Sequence, residues 1–547
     1  MDGRLIIENS RIETKDKIKS FNPATLESVG EVCLASAAEC EQAIQAAKRA
    51  YPLWKELSLE KKREIFQRAK KILLQRSSEV AQLLTLEKGS PFPESLSVEV
   101  MGVLEVLDYY GQNLRKSLKP KKTKHHVVLF FHKKSSFHFQ ALGVTLIISP
   151  WNFPFIIPFC DIISALAAGN TVVLRPSTTT PLIGLMIGDI LLKAGLPPGV
   201  LNIVNCKVAQ AEDLILSRDV ETVMFTGSVS TGKRIMELAS QNLHNIVLEL
   251  GGKDPMIVLK DADLERASRG AVWGAFVNTG QSCASIERVY VAREIADEFI
   301  EKVLSHAKRL KVGNPLEPEV DLGPMANLSQ LKVVEEQVED AVKKGAKVLL
   351  GGEKIENLPG YFFQPTVLSE VNHSMKIMQD ETFGPVLPVM PFSEPEEAVS
   401  LANDSRFGLT ASIWTRSKKT ASWMAERIEA GTITVNDHMF SFIEPRAIWG
   451  GVKQTGKGYT HGQFGLQKLV SIKYISLDLA KKKTQMWWYP YSANWPKVLD
   501  KSFVLFYDDR LFKKIKAAFS LLSYFSLIKA GSPMLNFIKS IPRILRK

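Results

Sequence analysis

Cysteine is scarce, with five residues in 547 (Cys33, Cys40, Cys160, Cys206 and Cys283), and none stands in a C-x-x-C pair or in the dense spacing of a disulfide framework. That excludes a disulfide-stapled scaffold and favours a reducing compartment with free thiols. No metal-ligating set is read in the chain. The G-x-G-x-x-G fingerprint, the usual sequence sign of a dinucleotide site, is missing. The opening residues, Met-Asp-Gly-Arg-Leu-Ile-Ile-Glu-Asn, lack a basic stretch followed by a sustained apolar run. No secretory signal is therefore expected, and the body is expected in the cytoplasm. The apolar run 517–528 has 12 residues, short of the roughly 20 that a membrane-spanning helix needs. Internal repeats and low-complexity linkers are absent.

The chain is longer than the roughly 250–300 residues at which single cores stop growing, so two or more domains are expected. Its net charge of +12 is unevenly placed. Residues 481–547 hold 14 Lys and Arg against three Asp and no Glu, and 115–134 hold eight Lys and Arg and no acid. What remains is mildly acidic. No nucleic-acid reading motif accompanies the basic tail, so nucleic acid is not expected as a partner.

Apolar residues recur at helical spacing over 37–89, which predicts a helical lead-in. The pattern then changes to short β-rich runs at 144–149, 171–174, 201–204, 222–225 and 246–250, separated by helix-length segments. Strands alternating with helices imply right-handed crossovers and a buried parallel sheet of dinucleotide-binding type. A second alternating region contains the runs 288–292, 347–350, 411–415 and 432–435. Two β-like runs within 124–142 predict a hairpin around His132-Lys-Lys-Ser135.

Three polar residues make a chemical set. Cys283 lies in Asn278-Thr-Gly-Gln-Ser-Cys283-Ala, Glu249 in Leu248-Glu-Leu-Gly-Gly252, and Asn152 in Pro150-Trp-Asn-Phe-Pro154. A thiolate can add to an aldehyde carbonyl, an amide N–H can hold the resulting oxyanion, and a carboxylate can later activate water. Each alone has a plainer reading: Cys283 as a buried thiol, Glu249 as a salt-bridge partner, Asn152 as a turn residue between prolines. Two successive glycines after Glu249 let the backbone pass close to a ligand.

These segments, in this order, together with Asn22-Pro-Ala-Thr25, Phe383-Gly-Pro385 and Gly450-Gly-Val-Lys453, resemble the aldehyde dehydrogenase superfamily from about residue 20 to about 478. The resemblance implies an α/β fold. A Rossmann-type cofactor domain (1–120 and 143–250) would join an α/β catalytic domain (251–455) and a small β oligomerisation element (121–142 and 465–479), leaving 480–547 as a basic aromatic tail. It implies NAD or NADP as cofactor, a small-molecule aldehyde as substrate, and a homo-oligomer, dimer or tetramer. Cys283 would be the nucleophile, Asn152 and the Cys283 backbone N–H the oxyanion donors, and Glu249 the base that hydrolyses the thioester. Family members that pass the acyl group to coenzyme A characteristically lack this base, so its presence favours a free carboxylic acid.

By the same resemblance, Gly227, Ser228 and Gly232 in Phe225-Thr-Gly-Ser-Val-Ser-Thr-Gly232 would face the pyrophosphate at a helix N-terminus. Glu381 would bind the nicotinamide ribose and Phe383 abut the ring, while Ser149, Trp151, Ser177 and Leu250 complete the cofactor wall. The adenosine end departs from the common pattern. Many members carry Lys and, three residues later, Glu; this chain has Arg175-Pro-Ser-Thr178. Thr178 would tolerate a 2′-phosphate and Arg175 could meet it with paired charge-assisted bonds, so NADP is expected alongside or above NAD.

The tail matches nothing in that family. It holds Lys481-Lys-Lys483, then Trp487-Trp-Tyr-Pro-Tyr491 and Trp495, then bulky apolar residues among lysines (Phe503, Phe506, Phe512, Ile515, Phe519, Leu522, Phe525). An interfacial helix touching a membrane peripherally is one reading; packing on the body or across a dimer is the other. Lipid contact would make a hydrophobic or long-chain aldehyde a candidate substrate. Two further readings stay open: a membrane-associated binding or scaffold protein that kept the fold without turnover, and acyl transfer or reduction in the opposite direction.

Overall fold

Two long helices, Ala37–Glu56 and Leu59–Lys88, occupy the stretch with helical periodicity. Ser36 and Glu39 open the first with a capping box, the Glu39 carboxylate accepting from Ser36 N at 2.8 Å. Gly89 closes the second in the left-handed region (φ 90°), where a Cβ would press on Pro23 and Pro324 at 2.8 Å. This computed structural model describes residues 2–126, 130, 132–479, 488, 489, 491, 493 and 495–523. They divide into two compact units, one reaching to Lys119 and resuming over Phe139–Ser471, the other comprising Pro120–His138 and the chain from Ile472.

The first unit holds two large sheets. One has eight strands in the order Gly456–Lys457, Asn245–Glu249, Val220–Thr226, Val144–Ile148, Thr171–Arg175, Leu201–Ile203, Leu5–Ile7, Ser10–Ile12. Its five central strands, Asn245–Glu249 to Leu201–Ile203, are parallel. They coincide with the β-rich runs read in the sequence. Val144–Ile148 and Leu201–Ile203 are buried throughout, as strands covered on both faces must be. The helices Ile156–Ala168 and Pro181–Lys193 are apolar nearly all round and lie in the core.

The second sheet has seven strands in the order Lys347–Leu350, Thr366–Ser369, Val386–Phe392, Ile286–Ala292, Asp254–Val258, Thr410–Trp414, Thr432–Val435. All its pairs are parallel except the first. Asp254–Val258, Thr366–Ser369 and Val386–Phe392 were not read as strands from sequence.

In the second unit a small sheet is ordered Val470–Asp478, Lys133–Ala141, Lys121–Thr123. It differs from the expected hairpin. Lys133–Ala141 is one strand running straight through the expected turn, with Ser135 buried and its Oγ 2.9 Å from Ser476 Oγ. Residues 127–129 and 131 lie outside the described residues. Residues 465–468, expected in this element, instead finish the helix Gly462–Lys468, whose Leu466 joins the large core. Two helices, Trp495–Tyr507 and Leu511–Ser523, follow. Lys481, Lys482, Lys483, Trp487 and Phe525 lie outside the described residues.

Candidate active site

Cys283 is positioned by an unusual turn. Asn278, Thr279 and Gly280 lie in succession in the left-handed region (φ 54°, 56° and 71°), a conformation that costs Asn and Thr free energy unless neighbours hold it. They are held. Asn278 N donates to Glu94 Oε2 at 3.0 Å, Asn278 Nδ2 donates to Asn152 O and Gln281 O at 3.0 and 2.9 Å, and Thr279 Oγ1 donates to Gly323 O at 3.1 Å. Gln281 Oε1 accepts from Ala326 N at 2.8 Å. Only glycine fits position 280, because a Cβ would lie 2.1 Å from Gly384 O.

Asn152 is buried, and Nδ2 donates to Gln281 O at 3.2 Å. The amide carries a second N–H, which leaves a donor for an oxyanion. The helix Ile156–Ala168 begins just beyond, and its leading N–H groups, Phe155 N and Ile156 N, donate to Glu99 Oε2 at 2.9 and 3.1 Å. Glu99 Oε1 accepts from Lys88 Nζ at 2.7 Å, both side chains being buried, and the Lys88 ammonium sits 4.7 Å from the Phe153 ring centre. Glu99 reaches this position from a π-helical turn, Ser95–Val100, a wider turn of the kind that recurs at functional sites.

Glu249 ends its strand buried, and its Oε1 has no hydrogen-bond partner. Burial pushes its carboxyl above the usual range, partly offset by the neighbouring Cys283 thiol, Trp449 and Thr226. Burial likewise pushes the Cys283 thiol well up, and the Glu249 charge beside it adds to the effect. Burial therefore disfavours the charged form of both groups, the Cys283 thiolate and the Glu249 carboxylate. Behind Glu249 a small pocket is lined by Asp161, Thr460 and His461. Burial and the Glu249 charge push the Asp161 carboxyl well up, and burial lowers His461 to about 4. The glycine pair after Glu249 has a steric reason: a Cβ on Gly252 would lie 2.0 Å from Cys283 O, and one on Gly251 would lie 2.6 Å from a Glu381 carboxylate oxygen.

The expected cofactor residues gather beyond the carboxyl ends of adjacent parallel strands. Register pairs Ile148 with both Arg175 and Phe225, and Thr226 with Glu249, so Ser149, Trp151, Arg175, Gly227 and Leu250 all leave the same edge of one sheet. The chain turns back in sheet order between Val144–Ile148 and Val220–Thr226, and such switch points are where open α/β sheets bind ligands. Ser228 is the exposed N-cap of the helix Val229–Ser240, its Oγ accepting from Thr231 N. Gly232 lets that helix close on Leu250, whose side chain a Cβ would meet at 2.5 Å.

Farther along the sheet, Arg175 Nη2 donates to Cys206 O at 3.0 Å while its buried Nε has no partner. Ser177 Oγ accepts from Thr179 N at 3.2 Å, and Thr178 is half-buried on the same turn. Glu381 Oε1 accepts from Gly252 N at 2.9 Å, and burial together with the nearby Glu287 raises its carboxyl to about 8. Trp151 and Phe383 meet edge to face, with ring centres 5.5 Å apart. A helix N-terminus and an unpartnered guanidinium Nε along one sheet edge, with the half-buried Glu381 carboxyl group held on Gly252 N just past Glu249, fit a dinucleotide.

Sequence reading missed the residues that aim these groups. Glu287 Oε2 and Oε1 accept from Thr382 N and Phe383 N at 2.8 and 2.9 Å, and Lys253 Nζ pairs with Glu287 at 2.7 Å, fixing the segment that carries Glu381 and Phe383. Glu94, Glu99 and Lys88 act likewise on Asn278 and on the turn after Asn152. A lone charged residue, whether on a helix like Lys88, Glu94 and Glu99, in a loop like Lys253 or on a strand like Glu287, reads as a solvated surface position, so no sequence signal marked them.

Beside Cys283 opens a cavity of about 230 Å³ whose wall includes Met101, Phe153, Trp273, Phe440, Phe442 and Trp449. None of its lining residues is charged.

The model of the aldehyde dehydrogenase family matches residues 11–475. The 4,4'-diapolycopene aldehyde oxidase of a Methylomonas species is 36% identical over 480 residues, covering 87% of this chain and 89% of its own. Among solved structures, an E. coli NADP-dependent enzyme is similar with a TM-score of 0.84 and 32% identity, over 87% of this chain and 98% of its own. PnpE of Pseudomonas sp. WBC-3 in complex with nicotinamide adenine dinucleotide is similar with a TM-score of 0.85 and 31% identity, over 89% of this chain and all of its own (100%).

Proposed function

Because this chain belongs to the aldehyde dehydrogenase family and is an NAD(P)-dependent enzyme that oxidises aldehydes to acids, we propose that its substrate is an uncharged, apolar aldehyde and that Cys283, Glu249 and Asn152 perform the reaction. The observation that carries the substrate reading is the uncharged, largely aromatic and aliphatic wall of the cavity beside Cys283. An anionic or cationic end group would enter that wall without a partner, at a cost of several kcal/mol.

Cys283 Sγ gives its proton to the Glu249 carboxylate and adds to the aldehyde carbon. The new oxyanion takes the free N–H of Asn152 Nδ2 and, by family resemblance, the Cys283 backbone N–H. A bound nicotinamide would supply the hydride acceptor, and collapse of the oxyanion expels hydride from the former aldehyde carbon and leaves the acyl group on Cys283 Sγ as a thioester. Glu249 passes the thiol proton to solvent and then removes one from the water that attacks the thioester; the C–S bond breaks, Cys283 Sγ leaves as the thiolate and takes that proton back from Glu249, and the carboxylic acid departs. Ser228 and the helix it caps would hold the pyrophosphate, Glu381 the nicotinamide ribose, and Arg175 with Thr178 the adenosine end. The guanidinium with its unpartnered Nε supports use of NADP alongside or above NAD.

The same reading divides the chain into a cofactor domain (1–120 and 143–250), a catalytic domain (251–455) and an oligomerisation element (121–142 and, once the helix Gly462–Lys468 is assigned to the core, 469–479). It makes the enzyme a cytoplasmic homo-oligomer, supported by five free cysteines and by the exposed edge strand Val470–Asp478. Measured kcat/KM for a panel of aldehydes tests the substrate. Apolar aldehydes should exceed carboxylate-bearing semialdehydes of equal length roughly tenfold or more. Preference for the semialdehydes would overturn the reading, and strong preference for NAD over NADP would overturn the cofactor part.

A further inference from the structure

The helix Leu511–Ser523 has two apolar faces. Ala517 and Leu521 are buried on one side. On the opposite side Leu511, Phe512, Ile515, Phe519 and Leu522 form a continuous stripe at helical spacing, and it is open to water, Phe512 being 79% and Phe519 68% exposed. Lys513 and Lys516, both exposed, flank the stripe. The preceding helix, Trp495–Tyr507, repeats the arrangement, with Val498, Ser502 and Leu505 buried and Phe503 and Tyr507 exposed. Two of the acids here are neutralised locally, Asp508 by Arg510 at 3.1 Å and Asp500 by Lys501 at 3.0 Å, which leaves Asp509 against the lysines.

We propose that this stripe is a docking surface for an anionic lipid bilayer, on which the Leu511–Ser523 helix lies flat. A stripe of large apolar side chains at the surface calls for a cover. The chemistry of the cover follows from charge: over 495–523 six Lys and Arg stand against three Asp, and in sequence the whole of 481–547 carries 14 basic residues against three acidic ones. Lysines beside an apolar face suit lipid headgroups above acyl chains, the lysine stems reaching outward while the rings sink. Thirteen residues make a helix about 20 Å long, too short for a hydrocarbon core of about 30 Å, and no helix among the described residues is long and apolar enough to cross a membrane. The surface therefore touches one leaflet. The proposal stands on the tail alone and does not depend on the catalytic reading.

The full-length protein sedimented with vesicles of phosphatidylcholine, alone or mixed with phosphatidylserine, tests it. Binding is expected to the mixed vesicles, to weaken in high salt, and to be slight on phosphatidylcholine alone. Two double variants separate the contributions: Lys513→Glu with Lys516→Glu, and Phe512→Ser with Phe519→Ser. Each should lower binding to the mixed vesicles roughly tenfold or more, with unchanged circular dichroism and unchanged turnover of a water-soluble aldehyde. Equal binding by variants and parent, or no binding of the parent to the mixed vesicles, would overturn the proposal. So would a fall in the mass of the lipid-free protein on the phenylalanine substitutions, because the stripe would then be a contact with a second copy.

Discussion

Cys283 and Glu249 impose opposite demands on each other. The carboxylate that can accept the thiol proton also holds that proton in place, since its charge disfavours a neighbouring thiolate. Glu249→Gln should therefore lower the pH at which Cys283 is alkylated by iodoacetamide in the cofactor-free protein; an unchanged pH profile would separate the two side chains. Asn152→Ala should lower kcat by about 10²–10³, the usual worth of one oxyanion donor. Asp161, behind Glu249, has a raised carboxyl pKa in the folded chain. The native state then holds a proton that the unfolded state has lost, so this group's contribution to stability is full at low pH and falls as pH rises from the ordinary carboxyl range through the raised value. Asp161→Asn should flatten that fall in urea-unfolding midpoints measured across pH.

At the scale of elements, the buried Lys88 and Glu99 pair connects the end of one helix, a π-helical turn and the start of the helix after Asn152. Removing one partner leaves a buried charge, so Lys88→Ala should cost about 3–5 kcal/mol in chemical denaturation, and Lys88→Met with Glu99→Leu together should recover part of it. This pair also marks where the sequence stops being legible. The parallel strands 144–148 to 245–249 announce themselves as apolar runs bounded by turn residues. Val386–Phe392 does not, because Pro388 and Pro391 argue against a central strand, yet it pairs on both sides within the second sheet. The motif around Cys283 pointed to a thiol nucleophile. The left-handed backbone of Asn278 and Thr279 could not be read, because the bonds that sustain it come from Glu94 and Gly323, far away in the chain.

For the whole molecule, one apolar surface besides the Leu511–Ser523 stripe falls outside the cofactor and substrate machinery. Val470–Asp478 is an edge strand exposing Ile472, Tyr474 and Leu477, a surface of the kind that pairs with another chain. If the proposed self-association runs through this strand, Ile472→Asp with Tyr474→Asp should lower the mass seen by light scattering, and an unchanged mass would contradict that role for the strand. The body's claim to be a hydrolytic dehydrogenase rests on three side chains acting in sequence. Its most direct test is rapid mixing of the intact enzyme, Cys283→Ala and Glu249→Gln with an apolar aldehyde and NAD or NADP, following reduced-cofactor absorbance. The parent should turn over continuously to the acid, Cys283→Ala should give no signal, and Glu249→Gln should give one equivalent of reduced cofactor per active site and then stall. Continuous turnover by Glu249→Gln at the parent's rate, or any turnover by Cys283→Ala, would contradict the account.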